Sequence, residues 1–349
     1  MQQIHCSIVP PHLLDRIAAL GEPRFAPASR AASRALAELD PVLRARADAL
    51  RAPIRRGSAV PGTLTRRIHD AGNREDLPGR LVREEGDPAT GDVAADEAYS
   101  GLGATYDLLS EEYGRSSIDG AGKALLATVH YGSEYDNAFW DGEQMVFGDG
   151  DGEIFGRFTA SLTVISHELT HGFTQYSTNL EYQGQSGALN ESLSDVFGVL
   201  VEQRTLGQQA EAASWLVGEG LFTAQVEGVA LRSLKAPGTA YDDDVLGRDP
   251  QPATMADYVE TSSDNGGVHI NSGIPNHAFY LAATTLGGPA WKGAGNIWFD
   301  TVVDGGIPAD CDFPTFARAT QEAAARRFGA GSREAEAVTG AWAQVGVMP

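Results

Sequence analysis

The segment SLTVISHELTHGFTQY, residues 161–176, restricts the fold more than any other part of the chain. Its apolar residues recur at steps of three and four, which predicts an amphipathic helix with one buried face. His167 and His171 are four residues apart and therefore share a face, about 5.4 Å from each other along the axis. Two imidazoles so arranged can bind one zinc ion. The segment therefore predicts a metal site on a helix.

Glu168 lies between the two histidines on the adjacent side of that face. A carboxylate there can accept a proton from water without binding the metal itself. The alternative is a pair of buried histidines with a purely structural role. Zinc in an enzyme takes three protein ligands and leaves one position open, so a third ligand is needed to choose between the two interpretations.

A second helix, predicted over 186–204, offers that ligand. Its apolar stripe consists of Leu189, Leu193, Val196 and Leu200. Glu191 lies on another face and is the candidate third ligand. Asp195, one turn later, can accept the outer N–H of a zinc-binding imidazole, and Asn190 flanks Glu191 on the other side. A solvated acidic face is the alternative for these carboxylates.

Several motifs now agree in order and spacing with one family. HELTH at 167–171 is followed by 19 residues and then Glu191, while the segment NAFW begins at Asn137 and DNGGVHINSG occupies 264–273. From about residue 95 to its C-terminus, the sequence resembles the thermolysin-like metallopeptidases. The metzincin pattern is not met, because Thr174 and Ser177 stand at its Gly and third His positions.

The resemblance implies a zinc-dependent endopeptidase that cuts peptide bonds on the N-terminal side of bulky hydrophobic residues. It implies that His269 donates a hydrogen bond to the oxyanion, that Asp264 orients His269, and that Tyr182 is a second donor. The resemblance also implies substrate-binding residues. Asn137 and Ala138 would bind the substrate main chain, and Arg232 would lie near the pocket that takes the residue after the cut. The implied lining of that pocket consists of Phe155, Phe158, Val164 and Leu231. Strand packing and a surface ion pair remain alternatives for the pocket residues. A zinc-containing binding protein that no longer cleaves would lack Glu168 or His269, and both are present.

Calcium is expected to bind weakly at most. Well-known relatives hold paired calcium ions with carboxylates, and Glu202 and Glu219 match two of those positions. The remaining matched positions are Thr163, Ser214 and Leu216, whereas calcium prefers six to eight oxygen ligands that are mostly charged. A double calcium site is therefore not expected. The acidic run 241–244 is predicted to be an exposed turn, with cation binding as the alternative.

Residues 1–56 carry a net charge of +4, whereas the rest of the chain carries −25. A basic segment before an acidic body is typical of an intramolecular partner. Residues 28–50 predict a helix interrupted near Pro41, and 51–63 predict a linker. The stretch CSIVPPHLLDRI resembles the short proregions of the protealysin-like subgroup. We therefore expect residues 1–56 to block the cleft as a proregion until the enzyme removes it, at Ala49-Leu50 or Ala59-Val60.

Cys6 lies within this proregion. Its thiolate has the chemistry to occupy the open zinc position, because sulfur is a good zinc ligand. The alternative is a small buried residue, since cysteine is among the most buried residue types.

Charge and hydropathy exclude several functions. The net charge of −21 disfavours nucleic acid and anionic membranes as partners, and no apolar run reaches the length of a membrane-spanning helix. The N-terminus lacks the basic and apolar regions of a secretory signal peptide, so we expect cytoplasmic synthesis, with secretion by another route left open. The expected fold is α+β with two lobes and a cleft between them. A strand-rich lobe spans 57–180, and a mainly helical lobe spans 181–349 and closes with helices at 312–328 and 332–345.

Overall fold

The structure is a computed structural model that describes residues 7–37 and 62–347. Cys6, Pro41, nearly all of the predicted linker and both predicted cleavage sites lie outside the described residues. The division of the chain at residues 56 and 180 stays a prediction.

The described part of the predicted proregion contains two helices, α1 (Pro11–Ala18) and α2 (26–37). Pro11 starts α1, where its missing N–H costs no hydrogen bond and its fixed φ suits the helix. Leu13, Leu14 and Ile17 of α1 are fully buried in the same apolar core as the rest of the protein. This N-terminal segment thus packs onto the rest of the protein, as predicted, but through apolar side chains and not through the charge complementarity on which the prediction rested.

Among the described residues, no side-chain ion pair joins the basic N-terminal segment to the acidic rest of the chain. The guanidinium of Arg16 donates to the backbone oxygens of Asp244 and Val245, both at 2.9 Å, and Arg34 donates to the backbone oxygen of Ser133. These contacts satisfy backbone carbonyls. Arg16 also acts on Asp243: burial opposes ionisation of Asp243, but backbone N–H donors and, more weakly, the charge of Arg16 lower the pKa of that carboxyl.

The strand-rich lobe is built on a five-stranded sheet in the order β2-β1-β3-β5-β4. Strands β1, β3 and β5 run parallel, while β2 and β4 pair antiparallel at the two edges. Its elements are β1 (Arg66–Asp70), β2 (Arg80–Glu84), α3 (Val93–Asp107) with a π-helical continuation (Leu108–Glu112), β3 (Leu125–Val129), β4 (Ala138–Trp140) and β5 (Met145–Phe147). Because β4 is an edge strand, its outer backbone groups can pair with a peptide.

His130, which follows β3, ties three segments of this lobe together. Its Nδ1 lies 2.8 Å from a carboxylate oxygen of Asp149 and its Nε2 lies 2.9 Å from Asp92, the residue that caps α3. The hydrogen bond to Asp149 is the main reason that the pKa of His130 rises to about 9, and Asp92 adds to it against the opposing effect of burial. The backbone of His130 is left-handed, with a φ of 54°.

The rest of the chain is mainly helical, as predicted. Its elements are α4 (Leu162–Gln175), α5 (Gly184–Leu206), the short pair β6 (Leu216–Val217) and β7 (Arg232–Ser233), the hairpin β8 (Asp242–Asp243) and β9 (Gly247–Arg248), α6 (Asp264–Asn271), α7 (Gly273–Leu286), α8 (Ala294–Asp304), α9 (Phe313–Phe328) and α10 (Arg333–Gln344). In the part of the chain that the structure describes, no helix combines the length and apolar character needed to span a bilayer.

Helices α4 and α5 form the centre of the molecule, and the single buried face predicted for α4 is wrong. Every residue from Thr163 to Thr174 of α4 is buried, and so is nearly all of α5. The reason is that α4 lies between the sheet side and α5, while α5 also packs against α6 and α7. A Cβ on Gly198 of α5 would lie 2.9 Å from the backbone oxygen of Thr163, so glycine permits the close approach of the two helices.

Candidate active site

Three buried side chains on α4 and α5 converge on one point. His167 and His171 come from α4 and Glu191 from α5, and their ligand atoms lie within 4.8 Å of one another. The two Nε2 atoms are 3.0 Å apart, and they lie 3.4 Å and 3.5 Å from the Glu191 carboxylate. Two imidazole nitrogens and one carboxylate are the donor set of a catalytic zinc site. The residues present therefore fit a zinc ion.

The outer nitrogens of both imidazoles have acceptors. The Nδ1 of His167 donates to Asp195 at 2.8 Å. The Nδ1 of His171 lies 2.8 Å from the Asn190 side-chain oxygen and 3.0 Å from the Ser194 hydroxyl. These contacts fix the ring orientations and direct each Nε2 towards the same point. The predicted contact of Asp195 is thus present, Asn190 has a specific partner, and Ser194 is a contact that the sequence reading missed although it lies one turn after Glu191.

Charge also favours a cation at this point. Burial opposes protonation of His167, but hydrogen bonds with Asp195 and Glu191 outweigh burial and raise its pKa to about 9 before a cation binds. Burial likewise opposes ionisation of Asp195, yet Arg232 and His167 lower the pKa of that carboxyl to about 2. A metal ion must displace the proton of His167, because only a neutral imidazole binds metal.

Arg232, which was predicted to lie near the substrate pocket, also makes a contact with Asp195 that was not predicted. It is 1% exposed, so the surface ion pair is excluded. Its Nε and Nη2 donate to the two oxygens of Asp195 at 2.8 Å and 2.9 Å, and Asn276 donates to the same carboxylate at 2.9 Å. A buried chain therefore runs from His167 through Asp195 to Arg232. The contribution of Asn276 was missed, although it follows the DNGGVHINSG segment by only three residues.

Glu168 and Tyr182 are both buried beside the triad. Glu168 follows His167 on α4, as the helical spacing predicts. The Tyr182 hydroxyl makes a short hydrogen bond to Glu191 and lies 3.3 Å from the Nε2 of His269. The structure thus brings Tyr182 and His269 to the triad, and it places the buried Glu168 next to His167 on α4.

The DNGG turn explains how Asp264 reaches His269. Asp264, Asn265, Gly266 and Gly267 all have left-handed backbones, with φ values of 52°, 50°, 84° and 75°. Glycine and asparagine tolerate this conformation best, which is why these residue types are needed here. The turn folds the Asp264 carboxylate back, so that its oxygens lie 2.6 Å from the Nδ1 and 2.9 Å from the backbone nitrogen of His269.

His269 is consequently a hydrogen-bond donor on both sides of its ring. Burial opposes the charged form, but the carboxylates of Asp264 and Glu191 raise the pKa of His269 to about 9. The imidazole is therefore protonated at neutral pH, and its Nε2 donates to the backbone oxygen of Ser7 at 3.0 Å.

That oxygen belongs to a peptide segment of the proregion, Ser7–Val9, which passes through the site. The backbone nitrogen of Ile8 donates to the oxygen of Ala138 at 3.1 Å, and the oxygen of Ile8 accepts from Arg232 at 2.9 Å. The nitrogen of Val9 donates to the side-chain oxygen of Asn137 at 3.0 Å. The segment therefore adds to edge strand β4 and meets the same residues that the resemblance assigns to substrate main-chain binding.

His12 holds the start of α1 against the same cleft. Its Nε2 lies 3.2 Å from the Tyr241 hydroxyl, while its Nδ1 is buried without a hydrogen-bond partner among the described residues. Burial is the main reason that the pKa of His12 falls to about 4; the charge of Asp264 opposes this fall, and the charges of His269 and Arg232 add to it. The docked proregion therefore contains a neutral imidazole.

The four apolar residues predicted to line the pocket, Phe155, Phe158, Val164 and Leu231, are all buried. The rings of Phe155 and Phe158 lie 5.7 Å apart, and Phe155 also packs against Phe222 at 5.5 Å. They belong to the same apolar cluster as Ile8. Their role in binding substrate stays a prediction.

The positions expected to have lost calcium ligands make other contacts. The Thr163 hydroxyl accepts from the backbone nitrogen of Gly218 at 2.9 Å and pairs with Ser161. Glu202 remains close to Glu219: burial and the charge of Glu219 raise the pKa of Glu202 to about 7. In the acidic run, Asp242–Asp243 form β8, so that the predicted turn is the beginning of a small hairpin. Calcium binding stays untested.

Comparison with known proteins agrees with this site. Sequence models of the thermolysin metallopeptidase family match most of the chain, the catalytic domain over 61–175 and the alpha-helical domain over 178–347. An extracellular metalloprotease of Pectobacterium carotovorum subsp. carotovorum is 51% identical over 342 residues, which cover 98% of this chain and 96% of the relative. Protease PrtS of Photorhabdus sp. (strain Az29) is 52% identical over 291 residues, which cover 82% of this chain and 78% of the relative.

A solved structure is similar over nearly the whole length. The precursor of protealysin, a metalloproteinase from Serratia proteamaculans, has a TM-score of 0.88 and 51% identity, and the match covers 98% of this chain and 99% of that chain. The two-lobe α+β fold and the protealysin-like resemblance predicted from sequence are thereby confirmed. The chain belongs to the thermolysin family of metallopeptidases, in its protealysin-like branch, and is a metalloendopeptidase.

Proposed function

We propose that this metalloendopeptidase depends on zinc, cuts on the N-terminal side of bulky hydrophobic residues, and is made as a latent precursor that processes itself. One observation carries the proposal. The Ser7–Val9 segment lies beside the buried His167, His171 and Glu191 triad, with its backbone bonded to His269, Ala138, Arg232 and Asn137.

Zinc would be held by His167, His171 and Glu191. When bound, the ion supplies a Lewis acid that polarises a carbonyl and makes water a better nucleophile at neutral pH. Asp195, Asn190 and Ser194 keep the two imidazoles in the tautomer that binds metal.

The remaining residues have separate tasks in peptide hydrolysis. Glu168 takes a proton from the attacking water and passes it to the nitrogen of the departing amine. The protonated His269 donates from its Nε2 to the substrate oxygen that becomes negatively charged, and Tyr182 is a second donor to it. Asp264 keeps His269 charged and oriented. Loss of one such donor typically costs ~2.7–4 kcal/mol in other enzymes.

The direction of the proregion segment supports the proposed specificity. Ser7 offers its carbonyl to His269, and the following residue, Ile8, offers its carbonyl to Arg232. Ile8 therefore occupies the position of the residue after the cut. Its side chain is fully buried in the apolar core of the protein, to which the four predicted pocket residues Phe155, Phe158, Val164 and Leu231 also belong. An apolar site of this kind selects bulky hydrophobic residues.

The same contacts support latency. A substrate main chain would need the Asn137 side-chain oxygen, the Ala138 backbone oxygen and the Arg232 guanidinium. The proregion already uses all three groups. Removal of the proregion at Ala49-Leu50 or Ala59-Val60 would free them. The name of the protealysin precursor is consistent with this proposal, since that relative is also made in a longer form.

The test is to load the purified full chain with zinc and follow casein cleavage and chain mass together, with and without a zinc chelator. A Glu168→Ala protein is the control. We expect chelator-sensitive proteolysis, with loss of the N-terminal segment only when Glu168 is intact.

Two other outcomes would reject parts of the proposal. A folded, zinc-loaded protein that cleaves nothing, even after residues 1–56 are removed, would favour a zinc-containing binding protein. A protein truncated before residue 57 that folds as well as the full chain but cleaves no faster would reject latency.

A further inference from the structure

Asp136 is a buried acid that the proposed reaction does not use. Its side chain is fully buried, directly before the substrate-binding Asn137. One carboxyl oxygen, Oδ1, accepts from the backbone nitrogen of Asp151 at 2.8 Å. The other, Oδ2, is buried and has no hydrogen-bond donor among the described residues. A carboxylate in such surroundings is costly unless another group compensates for it.

The neighbouring Asp151 has the same arrangement of its two oxygens. Its Oδ1 accepts from the backbone nitrogens of Glu153, Ile154 and Phe155 at 2.8–2.9 Å. Its Oδ2 is buried and likewise has no donor in the described part of the chain. Each acid thus has one oxygen that accepts backbone hydrogen bonds and one buried oxygen that has no donor among the described residues.

The charged groups that act most strongly on Asp136 are both carboxylates. Burial, followed by the Asp151 carboxylate and more weakly by Glu134, raises the pKa of Asp136 well above its usual range. Two adjacent carboxylates in a dry site cannot both ionise without a large cost, and they commonly share one proton.

The pair joins the two segments that form the substrate side of the cleft. On the Asp136 side, Asn137 accepts from Val9 and its backbone oxygen accepts from Gly148 at 3.0 Å. On the Asp151 side, the three backbone nitrogens belong to the turn that ends at Phe155. The backbone nitrogen of Gly150 also donates to Tyr135 at 3.2 Å.

We propose that Asp136 and Asp151 share one proton, and that this pair is a positioning unit that holds Asn137 at the place where it binds the substrate main chain. The inference rests on the proposed role of Asn137 in substrate binding. Neither acid touches the reacting bond. The pair therefore acts on substrate affinity, while the chemical step is left to Glu168 and His269.

Asparagine at one of the two positions replaces the shared proton with a permanent N–H donor. Asp136→Ala removes the link, and we expect it to raise KM about tenfold, equivalent to ~1.4 kcal/mol, with kcat changed by less than about twofold. Asp136→Asn should recover the KM of the wild type, and so should Asp151→Asn. The double Asn variant places two NH2 groups against each other, and we expect its KM to be about as high as that of Asp136→Ala.

The pH profile separates a shared proton from simple packing. Because the pKa of Asp136 is raised on folding, the proton stabilises the fold fully below the ordinary carboxyl value of 3.8, and the stabilisation is lost as pH rises through the folded pKa. The wild type should therefore lose substrate affinity and melting temperature towards alkaline pH relative to Asp136→Asn. The melting curves are measured in full-length chains carrying Glu168→Ala, so that they need no proteolysis.

Several results would overturn the inference. If Asp136→Asn raises KM as much as Asp136→Ala, the carboxylate and not its proton is required. If the double Asn variant is no less stable than either single variant, no proton is shared. A calcium-dependent rise in melting temperature that Asp136→Asn abolishes would show that a cation holds the pair together. If the wild type cleaves nothing, the proposed function fails. The melting temperatures of the single and double Asn variants still decide whether the proton is shared.

Discussion

Ile8 offers a direct test of how strongly the proregion is held in the cleft. Its side chain is fully buried, and its backbone makes two of the hydrogen bonds to the body. Ile8→Ala keeps those backbone bonds and removes three buried carbon atoms. Such truncations cost 2–5 kcal/mol, so about 3 kcal/mol is a reasonable value here. If the loss falls on docking, the fraction of chains with an open cleft should rise about 150-fold.

The assay is the initial hydrolysis rate of a short chromogenic peptide, taken immediately after zinc is added to the full chain. Mass spectrometry confirms that the chain is still intact at that time. Each rate is divided by the rate of the same variant after proregion removal. Ile8→Val, which removes one carbon, should raise the open fraction only about fivefold. Asp15→Ala changes an exposed residue of α1 and should leave it unchanged.

The reasoning would be refuted if intact Ile8→Ala protein is as latent as the wild type. In that case the buried side chain contributes nothing to docking, and the backbone hydrogen bonds of Ser7–Val9 together with the other contacts of the segment hold it in the cleft. Equal effects of Ile8→Val and Ile8→Ala would also contradict the argument, because the cost should grow with the volume removed.

Three further predictions concern buried polar groups. Asp195→Asn removes the carboxylate that orients His167, so we expect zinc affinity to fall about 10- to 100-fold. The affinity is measured by competition with a chelator, which needs no turnover. Unchanged affinity would exclude a role of Asp195 in orienting His167. His130→Asn keeps a residue that tolerates the left-handed backbone. Because the pKa of His130 is raised to about 9, its contribution is complete below 6.5 and is lost as pH rises through about 9. The free energy of unfolding is measured in urea on a Glu168→Ala background. His130→Asn should lower it by roughly 1–2 kcal/mol at about pH 6 and by almost nothing above about pH 10. An equal loss at both pH values would contradict this prediction. The pKa of His12 falls from 6.5 to about 4 on docking, so protonation of His12 favours the open cleft. Between neutral pH and about pH 5, the fraction of wild-type chains with an open cleft should therefore rise about 30-fold. His12→Leu should show no such rise in the same peptide assay.

The metal centre was predictable because its information is local. A spacing of four residues places His167 and His171 on one helix face whatever the rest of the chain does. Glu191 required one further step, since a third ligand must come from another element and the family spacing indicated which one. The Asp264 contact to His269 was similarly accessible, because five residues and a left-handed DNGG turn suffice to form it.

The sequence predicted a single buried face for α4, whereas the structure shows a helix that is buried on all sides. Periodicity reports the most apolar face of a helix, which suits a helix with one side in water. Both helices here are packed on all sides, so their polar residues are also buried and satisfy one another. Ser194 and Asn276 were missed because short polar side chains carry no spacing signal of their own.

By itself the sequence determined the strand-rich and helical parts, the convergence of His167, His171 and Glu191, the position of Glu168 beside His167, and the presence of a basic segment ahead of an acidic body. These follow from helical periodicity, motif spacing and charge, which depend on residues close together in the chain. Only the tertiary structure decided that Arg232 pairs with Asp195, that the Ser7–Val9 segment runs through the cleft in the direction of a substrate, and that Asp136 faces Asp151. Arg232 and Ile8 are 224 residues apart. Contacts of that kind depend on how whole elements pack, because packing and not local spacing determines which distant polar groups share a dry environment.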